Sequence, residues 1–419
     1  MRGILFFVVI SFSFIYSCKH SNDNFSYSDT NQLKTITIDP DNVKVPGNAS
    51  EIFSEYDFIL LETKKESLIG SIDQLIIHDN KFIIMDELSK SVFSFDKRGK
   101  FLNKISAVGN GPGEYQNLNS IYLDTLNSQL ILLCSKKVLC FDIENFKFIR
   151  EEIFKNNLYA SAWVAPDTFC VYRHNANWNS EYNLSFFTGE KILQNYLPIN
   201  PDFKGYSIRN PTEFNASNSS RTLYFNEYYS DTIYSVTSDG LKANLFVDFG
   251  DKKIPSSFIA RIGEMQDASI ISNESQYANG IYDYFETNTF IHFKYGYKKM
   301  INSYFGYKKD ASEYHYRSIN DDVLLCLYPN KILYATDTCL ISWQDVYSMV
   351  ERRKRVMNQF MESVKDAPKD LMSDPDTKKQ MDVFYATKEK YDIIFEKSGL
   401  NNLTENDNPA LIIYKLNNL

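Results

Sequence analysis

The chain has 419 residues, 43% hydrophobic and 15% aromatic, with 29 tyrosines and 31 phenylalanines. That much apolar material excludes a disordered chain and is enough for a sizeable core. A formal net charge of −8 argues against the basic face that a nucleic-acid partner requires.

The first residues, MRGILFFVVISFSFIYSC, set Arg2 ahead of an apolar run from Ile4 to Ile15. The run is too short for a spanning helix and has the build of a secretory signal, residues 1–17. Ser17 before Cys18 matches the small residue that precedes a lipidated cysteine in bacterial lipoproteins, so Cys18 is the expected lipid anchor. Residues 18–32 continue as a polar, Ser/Asn-rich tether, as a membrane-held domain needs. Cys134, Cys140, Cys170, Cys326 and Cys339 remain, without a C-x-x-C pair or a histidine at zinc-ligand spacing. They are expected to be small buried hydrophobes rather than a disulfide framework.

Two segments next read as strands, LKTITID at 33–39 and YDFILLET at 56–63. From residue 70 to about 335 a β pattern then recurs. Its first unit contains Ile-, Val- and Phe-rich runs broken at His78-Asp79-Asn80, Asp86 to Lys90 and Lys97-Arg98-Gly99, which is four strands and three reversals. The third strands of successive units align as VFSFDKRGKF, VLCFDIENFKF, NLSFFTGEKI and TIYSVTSDGL. Phe95, Phe141 and Phe187 are 46 residues apart (141 − 95 and 187 − 141), and Val236 follows after 49 (236 − 187). Four strands per repeat of that length is the sign of a β-propeller. A less regular fifth unit contains NTFIHFKYGYKKMINSYFGYKKD, and a sixth starts at NKILYATDTCLIS.

The sixth unit is interrupted. Trp343, Val346, Val350, Met357, Phe360 and Val364 fall at helical spacing, and a second helix runs through Met381, Phe384, Tyr391, Ile394 and Phe395 to Gly399. The strand NPALIIYKL, 408–416, follows. The reading is one all-β domain, residues 33–419. It is a six-bladed β-propeller closed by shared N- and C-terminal strands, with a two-helix insertion at about 343–400. A pair of β-sandwiches is the competing architecture. Closure removes the exposed edge that an open ring would present.

The lipobox-like start, FILLETKKESLIGSIDQLIIHDNKFIIMD, FSFDKRGKFLNKISAVGNGPGEY, SDTIYSV and the terminal NPALIIYKL together resemble the six-bladed β-propeller lipoproteins of Bacteroidetes, which are distantly similar to NHL-repeat propellers. The resemblance covers nearly the whole mature chain and is strongest in the first two blades. It implies a fold and an envelope location, with the outer membrane the expected site, and carries no catalytic residues.

The glycine-rich stretch Gly109 to Glu114 invites a phosphate-loop reading, but Pro112 lacks an N–H and no helix follows. An interblade turn is expected, with Glu114 serving nearby backbone N–H groups. In a four-stranded meander the second-to-third-strand loops and the interblade links share one face. That face collects Asp86, Glu87, Gly109–Glu114, RHNANWNSE at 173–181, NEYYSD at 226–231 and KYGYKK at 294–299. Long aromatic-bearing loops on a rigid scaffold are where binding concentrates, so Arg173, His174, Trp178, Tyr228, Tyr229 and Tyr297 are the candidate ligand-binding residues.

The histidines and carboxylates form no recognised catalytic or calcium motif, so no catalytic residue, metal or cofactor is assigned. The basic run ERRKR at 351–355 reads as a solvated helix face. The expected function is non-catalytic binding of a glycan, peptide or envelope protein by a lipid-anchored propeller without a nucleic-acid partner. Two rivals stand beside it: a hydrolase or lyase with acid–base groups around the central channel, and a scaffold subunit that docks through the helical insertion.

Overall fold

The computed structural model describes residues 33–417 except 46, 156–157, 159, 176–179, 200, 202–212, 217–221, 228, 266–275, 323–330 and 366–374. The signal, Cys18 and tether therefore lie outside the described residues.

Three short strands open the fold: β1 (Lys34–Thr37), β2 (Gly47–Asn48) and β3 (Phe53–Leu60). Blade one follows as β4 (Gln74–His78), β5 (Lys81–Asp86), β6 (Ser91–Asp96) and β7 (Phe101–Ile105). Blade two is β8 (Leu118–Asp124), β9 (Gln129–Cys134), β10 (Lys137–Asp142) and β11 (Phe148–Ile153). Blade three is β12 (Ala160–Ala165), β13 (Thr168–Tyr172), β14 (Tyr182–Thr188) and β15 (Lys191–Pro198). Blade four is β16 (Phe214–Ala216), β17 (Leu223–Phe225), β18 (Thr232–Thr237) and β19 (Gly240–Asp248). The helix α1 (Ser256–Met265) precedes blade five, which is β20 (Asn279–Glu286), β21 (Phe290–Tyr297), β22 (Met300–Tyr307) and β23 (Glu313–Arg317). A two-residue strand β24 (Ile319–Asn320) leads to β25 (Tyr334–Ala335) and β26 (Cys339–Gln344). Then come α2 (Val346–Lys365), α3 (Pro375–Ser398) and the last strand, β27 (Ala410–Leu416).

Each of the first five blades is an antiparallel meander, and blade six has the order β25-β26-β27-β3. The final strand lies between β26 and β3, pairing Trp343 with Leu411 on one side and Leu411 with Ile59 on the other. The six-bladed ring is thus closed by both ends of the chain, as the sequence predicts. Only the second N-terminal strand takes part. The first, β1, runs parallel to β19 and extends blade four to five strands, from Lys34↔Leu245 to Thr37↔Asp248.

The aligned aromatics sit where the spacing predicts. Phe95, Phe141 and Phe187 all lie in the third strand of their blades, and each pairs across a register shift with the outer strand. A bulge at the same point of three blades bends the outer strand away and increases the twist.

The core lies in the seams. Six apolar clusters fill the six junctions between neighbouring blades. In β5, Ile83 and Met85 pack toward blade two while Phe82 and Ile84 pack toward blade six. A strand buried on both faces reads as a continuous apolar run, whereas the outer strand FIREEI of blade two has one edge in solvent and is charged. The helical insertion covers the seam of blades five and six, where Val346, Met349, Val350 and Phe395 join the ring's own Phe53, Ile412 and Tyr414. Arg353 of the basic run pairs with Asp392 and lies over the Phe395 ring, and its neighbours Arg352, Lys354 and Arg355 are exposed.

Cys134, Cys140, Cys170 and Cys339 are free thiols, the first three fully buried. Cys326 lies outside the described residues. Burial pushes the Cys134 thiol up to about 12 and the Cys170 thiol higher still, so these are packing groups rather than nucleophiles.

Candidate functional site

The glycine-rich link is a turn, and the carboxylates of Glu114 and Glu151 take two of its N–H groups. Gly111 N–H donates to Glu114 Oε2 at 2.7 Å and Gly113 N–H to Glu151 Oε2 at 2.9 Å. Lys137 Nζ donates to the carbonyls of Gly111 and Glu114, both at 3.1 Å, and so fixes the loop from the other side. Gly113 has φ +76°, which explains a glycine there.

Of the candidate residues, Arg173 and His174 lie together at the end of β13. They enter the two seams on either side of blade three. Arg173 joins Phe169 and Val171 on the side of blade two, and His174 joins Tyr172 on the side of blade four. His174 and Asn175 have φ +51° and +59°, a left-handed pair that histidine and asparagine tolerate better than most residues. The turn is clasped by Asn183, whose Oδ1 accepts from Asn175 N–H at 2.8 Å and whose Nδ2 donates to Asn175 Oδ1 at 2.7 Å.

On the blade-four side, His174 Nε2 meets the Glu213 carboxylate and its ring lies edge-on to Tyr172, with centroids 4.6 Å apart. Glu227 accepts from Asn183 Nδ2 at 3.0 Å and from the Tyr172 hydroxyl. Burial pushes the Glu227 carboxyl up to about 7 against the pull of those two hydrogen bonds, and Tyr172 is held well above its ordinary value for the same reason. A half-buried acid, its carboxyl raised toward neutrality by desolvation, sits beside a histidine–carboxylate pair.

On the blade-two side, Arg173 is 7% exposed. Its Nη1 donates to the Tyr182 carbonyl at 3.1 Å and to Ser185 Oγ at 2.8 Å, and the Ser185 hydroxyl donates on to Asn195 Oδ1. The guanidinium lies 5.8 Å from the Phe187 ring centre. It forms part of the lining of a cleft of about 490 Å³ together with Phe154, Leu158, Phe169, Val171 and Ile192. Lys155 and Glu190, paired at 3.3 Å, border it at the solvent side.

The other candidates fall elsewhere. Tyr229 is half-buried in the loop that carries Glu227. Trp178 and Tyr228 lie outside the described residues. Tyr297 belongs to blade five, where its hydroxyl donates to Asp41 Oδ1 at 2.9 Å and Lys298 and Arg317 lie by its ring. It pins the N-terminal segment to blade five and takes no part in the contacts described for Arg173 and His174.

Sequence reasoning missed Tyr172, Asn183, Glu213 and the role of Glu227. Glu227 stands inside the loop singled out, NEYYSD, but only packing distinguishes it from an exposed acid. A buried pair elsewhere, Lys294 and Asp283 at 3.0 Å, ties the first two strands of blade five together and also lay beyond sequence spacing. Among the described residues, no group of three or more His, Cys, Asp and Glu could hold a metal ion, and no helix is long and apolar enough to cross a membrane.

The fold defines the class, a six-bladed β-propeller. Residues 33–415 match the model of a domain of unknown function, DUF4934, and the chain belongs to that family. The chain is similar in fold to a Bacteroides fragilis protein named as an exported protein, with a TM-score of 0.68 at 16% identity over 92% of this chain and 100% of that one. A member of the DUF4221 family from Bacteroides vulgatus matches at TM-score 0.42 and 10% identity, over 63% of this chain and 86% of the other. Virginiamycin B lyase from Staphylococcus aureus matches at 0.36 and 11%, over 63% and 74%. No curated protein matches in sequence.

Proposed function

We propose that this protein is a lipid-anchored propeller of the cell envelope, held at the outer membrane through Cys18, that binds a ligand at the loop-bearing end of blades two to four without transforming it. One observation carries the binding part. At the end of blade three, His174, Glu213 and Glu227 gather on the blade-four side and Arg173 lies on the blade-two side, with Arg173 and His174 buried. Burying polar and charged groups is costly unless they are hydrogen-bonded or paired, and loops on a rigid scaffold are where binding residues concentrate. The signal-like start and the exported relative support the location.

The test has two arms. Cys18→Ser should move the protein from the membrane to the soluble fraction, and retention in the membrane would refute the anchor. Glycan and peptide arrays probed with the full chain should give binders that weaken at least tenfold in His174→Ala and Glu227→Gln. Binders that ignore both substitutions would place the site elsewhere. A second reading, acid–base catalysis, draws on Glu227, because a carboxyl titrating near 7 is suited to exchange protons at neutral pH. Turnover of a bound glycan that is lost in Glu227→Gln would favour it. Scaffolding through the insertion is less well supported, since Val346, Met349 and Val350 already pack on the ring.

A further inference from the structure

The blade-two side of the site shows a charge without a counter-charge. Arg173 is more than nine-tenths buried, and among the described residues no carboxylate lies within ion-pair distance of it. Among the described residues only Nη1 is engaged, by the Tyr182 carbonyl and Ser185 Oγ. Nε and Nη2, which form the side edge of the guanidinium, have no acceptor among the described residues, yet they are not sealed from solvent. Burial with no opposing carboxylate pulls the guanidinium below its ordinary value, a direction consistent with uncompensated charge. A buried cation without a counter-charge is unfavourable, so this arrangement suits an acceptor that the described residues do not supply.

What surrounds Arg173 limits that acceptor. The walls are Phe154, Leu158, Phe169, Val171, Phe187 and Ile192, an apolar enclosure within the size range of small-molecule sites. The two free N–H groups on one guanidinium edge match the two oxygens of a carboxylate in a planar fork. Asn195, whose Oδ1 is taken by Ser185, has its amide N–H₂ left to donate. Glu181 also lines the cleft, and Glu190 there is paired with Lys155, so a dianion such as a phosphate monoester would meet about twice the repulsion of a singly charged group.

We infer that the cleft between blades two and three binds an organic carboxylate with an apolar body, its head group on the Nε/Nη2 edge of Arg173 and its body against Phe154, Phe169 and Phe187. The inference rests on the binding reading above and names its ligand class.

The probe is 4-phenylbutyrate, with 4-phenylbutanol, 4-phenylbutanamide and 4-phenylbutyl phosphate as matched controls, titrated calorimetrically into the full chain. The carboxylate should bind at least tenfold more tightly than each control and raise the melting temperature. Arg173→Lys, which keeps the charge and loses the fork, and Ile192→Trp, which fills the cleft from a half-exposed position, should each weaken it at least tenfold. Should Arg173→Lys fail to fold, Ile192→Trp alone decides. Equal affinity for the alcohol or amide, tighter binding of the phosphate, or unchanged binding in Ile192→Trp overturns the inference. If 4-phenylbutyrate does not bind while an array ligand still depends on His174 and Glu227, the carboxylate cleft fails and the binding reading stands. If neither binds, both fail.

Discussion

Removing residues 410–419 deletes β27, the strand that pairs with β26 and β3 at once. Leu411, Ile412 and Tyr414 are fully buried in it, and Leu416 is 6% exposed. At about 1.5–3 kcal/mol for each large apolar side chain, these four contribute roughly 6–12 kcal/mol as an upper estimate. Total stabilities of folded domains are about 5–15 kcal/mol, so the truncated chain should have no cooperative native state. Thermal and urea unfolding followed by circular dichroism, with dye binding to exposed apolar surface, reads this directly, and a peptide spanning 405–419 added in trans should restore the transition. Point variants in the same strand grade the effect. Leu411→Ala should cost about 2–5 kcal/mol through cavity formation. Lys415→Ala removes only exposed ion pairs to Glu55 and Asp57 and should cost under about 1 kcal/mol. A truncated chain that melts cooperatively within a few degrees of the full chain, or equal losses in the two point variants, would refute the closure argument.

Four further expectations follow from groups wholly or partly buried. His292 is fully buried, donates from Nδ1 to the Tyr304 carbonyl at 2.9 Å and stacks on Phe305; burial holds it down at about 3, and His315 at about 4. A base with a depressed folded value contributes stability above its unfolded value of about 6.5 and loses it on acidification. Each histidine should therefore cost about 1.4 kcal/mol per pH unit as pH falls from 6.5 toward its folded value. Glu227 runs the other way, losing stability as pH rises from 4.5 through 7, so urea midpoints should fall more steeply on acidification in Glu227→Gln, and an unchanged slope would contradict its burial. Gly99→Ala should cost about 3 kcal/mol or more, because φ is +81° and an added Cβ would stand 2.0 Å from the Leu60 carbonyl oxygen. A melting temperature within two degrees of the parent would count against that contact. Cys134, Cys140 and Cys170 should resist thiol reagents at pH 8 until denaturant is added, and mass spectrometry of labelled peptides would show any native reactivity.

The ring was legible because its repeat is written in local terms: turn residues such as Asp79-Asn80, with φ +44° and +61°, and an aromatic at one bulged position every 46 residues. The fate of β1 was not legible. LKTITID alternates like any strand, but its parallel pairing with β19, some 200 residues away, leaves no hairpin signal, and both N-terminal strands looked equally fit to share a blade. At the site, Arg173 and His174 were visible as loop residues. Their opposite directions, and the cleft built from Phe154 and Leu158 of another blade's exit, depend on how blades stack. Burial turns Glu227 into a near-neutral acid, and no spacing rule reports burial across a seam.

The composition of blade six sets a schedule for the protein's birth. A chain emerges N-terminus first, so β3 appears early and its neighbour β27 arrives roughly 350 residues later, about 18–70 s at 5–20 residues per second. Through that interval Phe53 and Tyr56 have no Tyr414 to cover them, and the strand's open side is free to recruit another chain. Misassembly should thus concentrate in molecules that still lack β27, the one strand that decides whether those made before it become one particle.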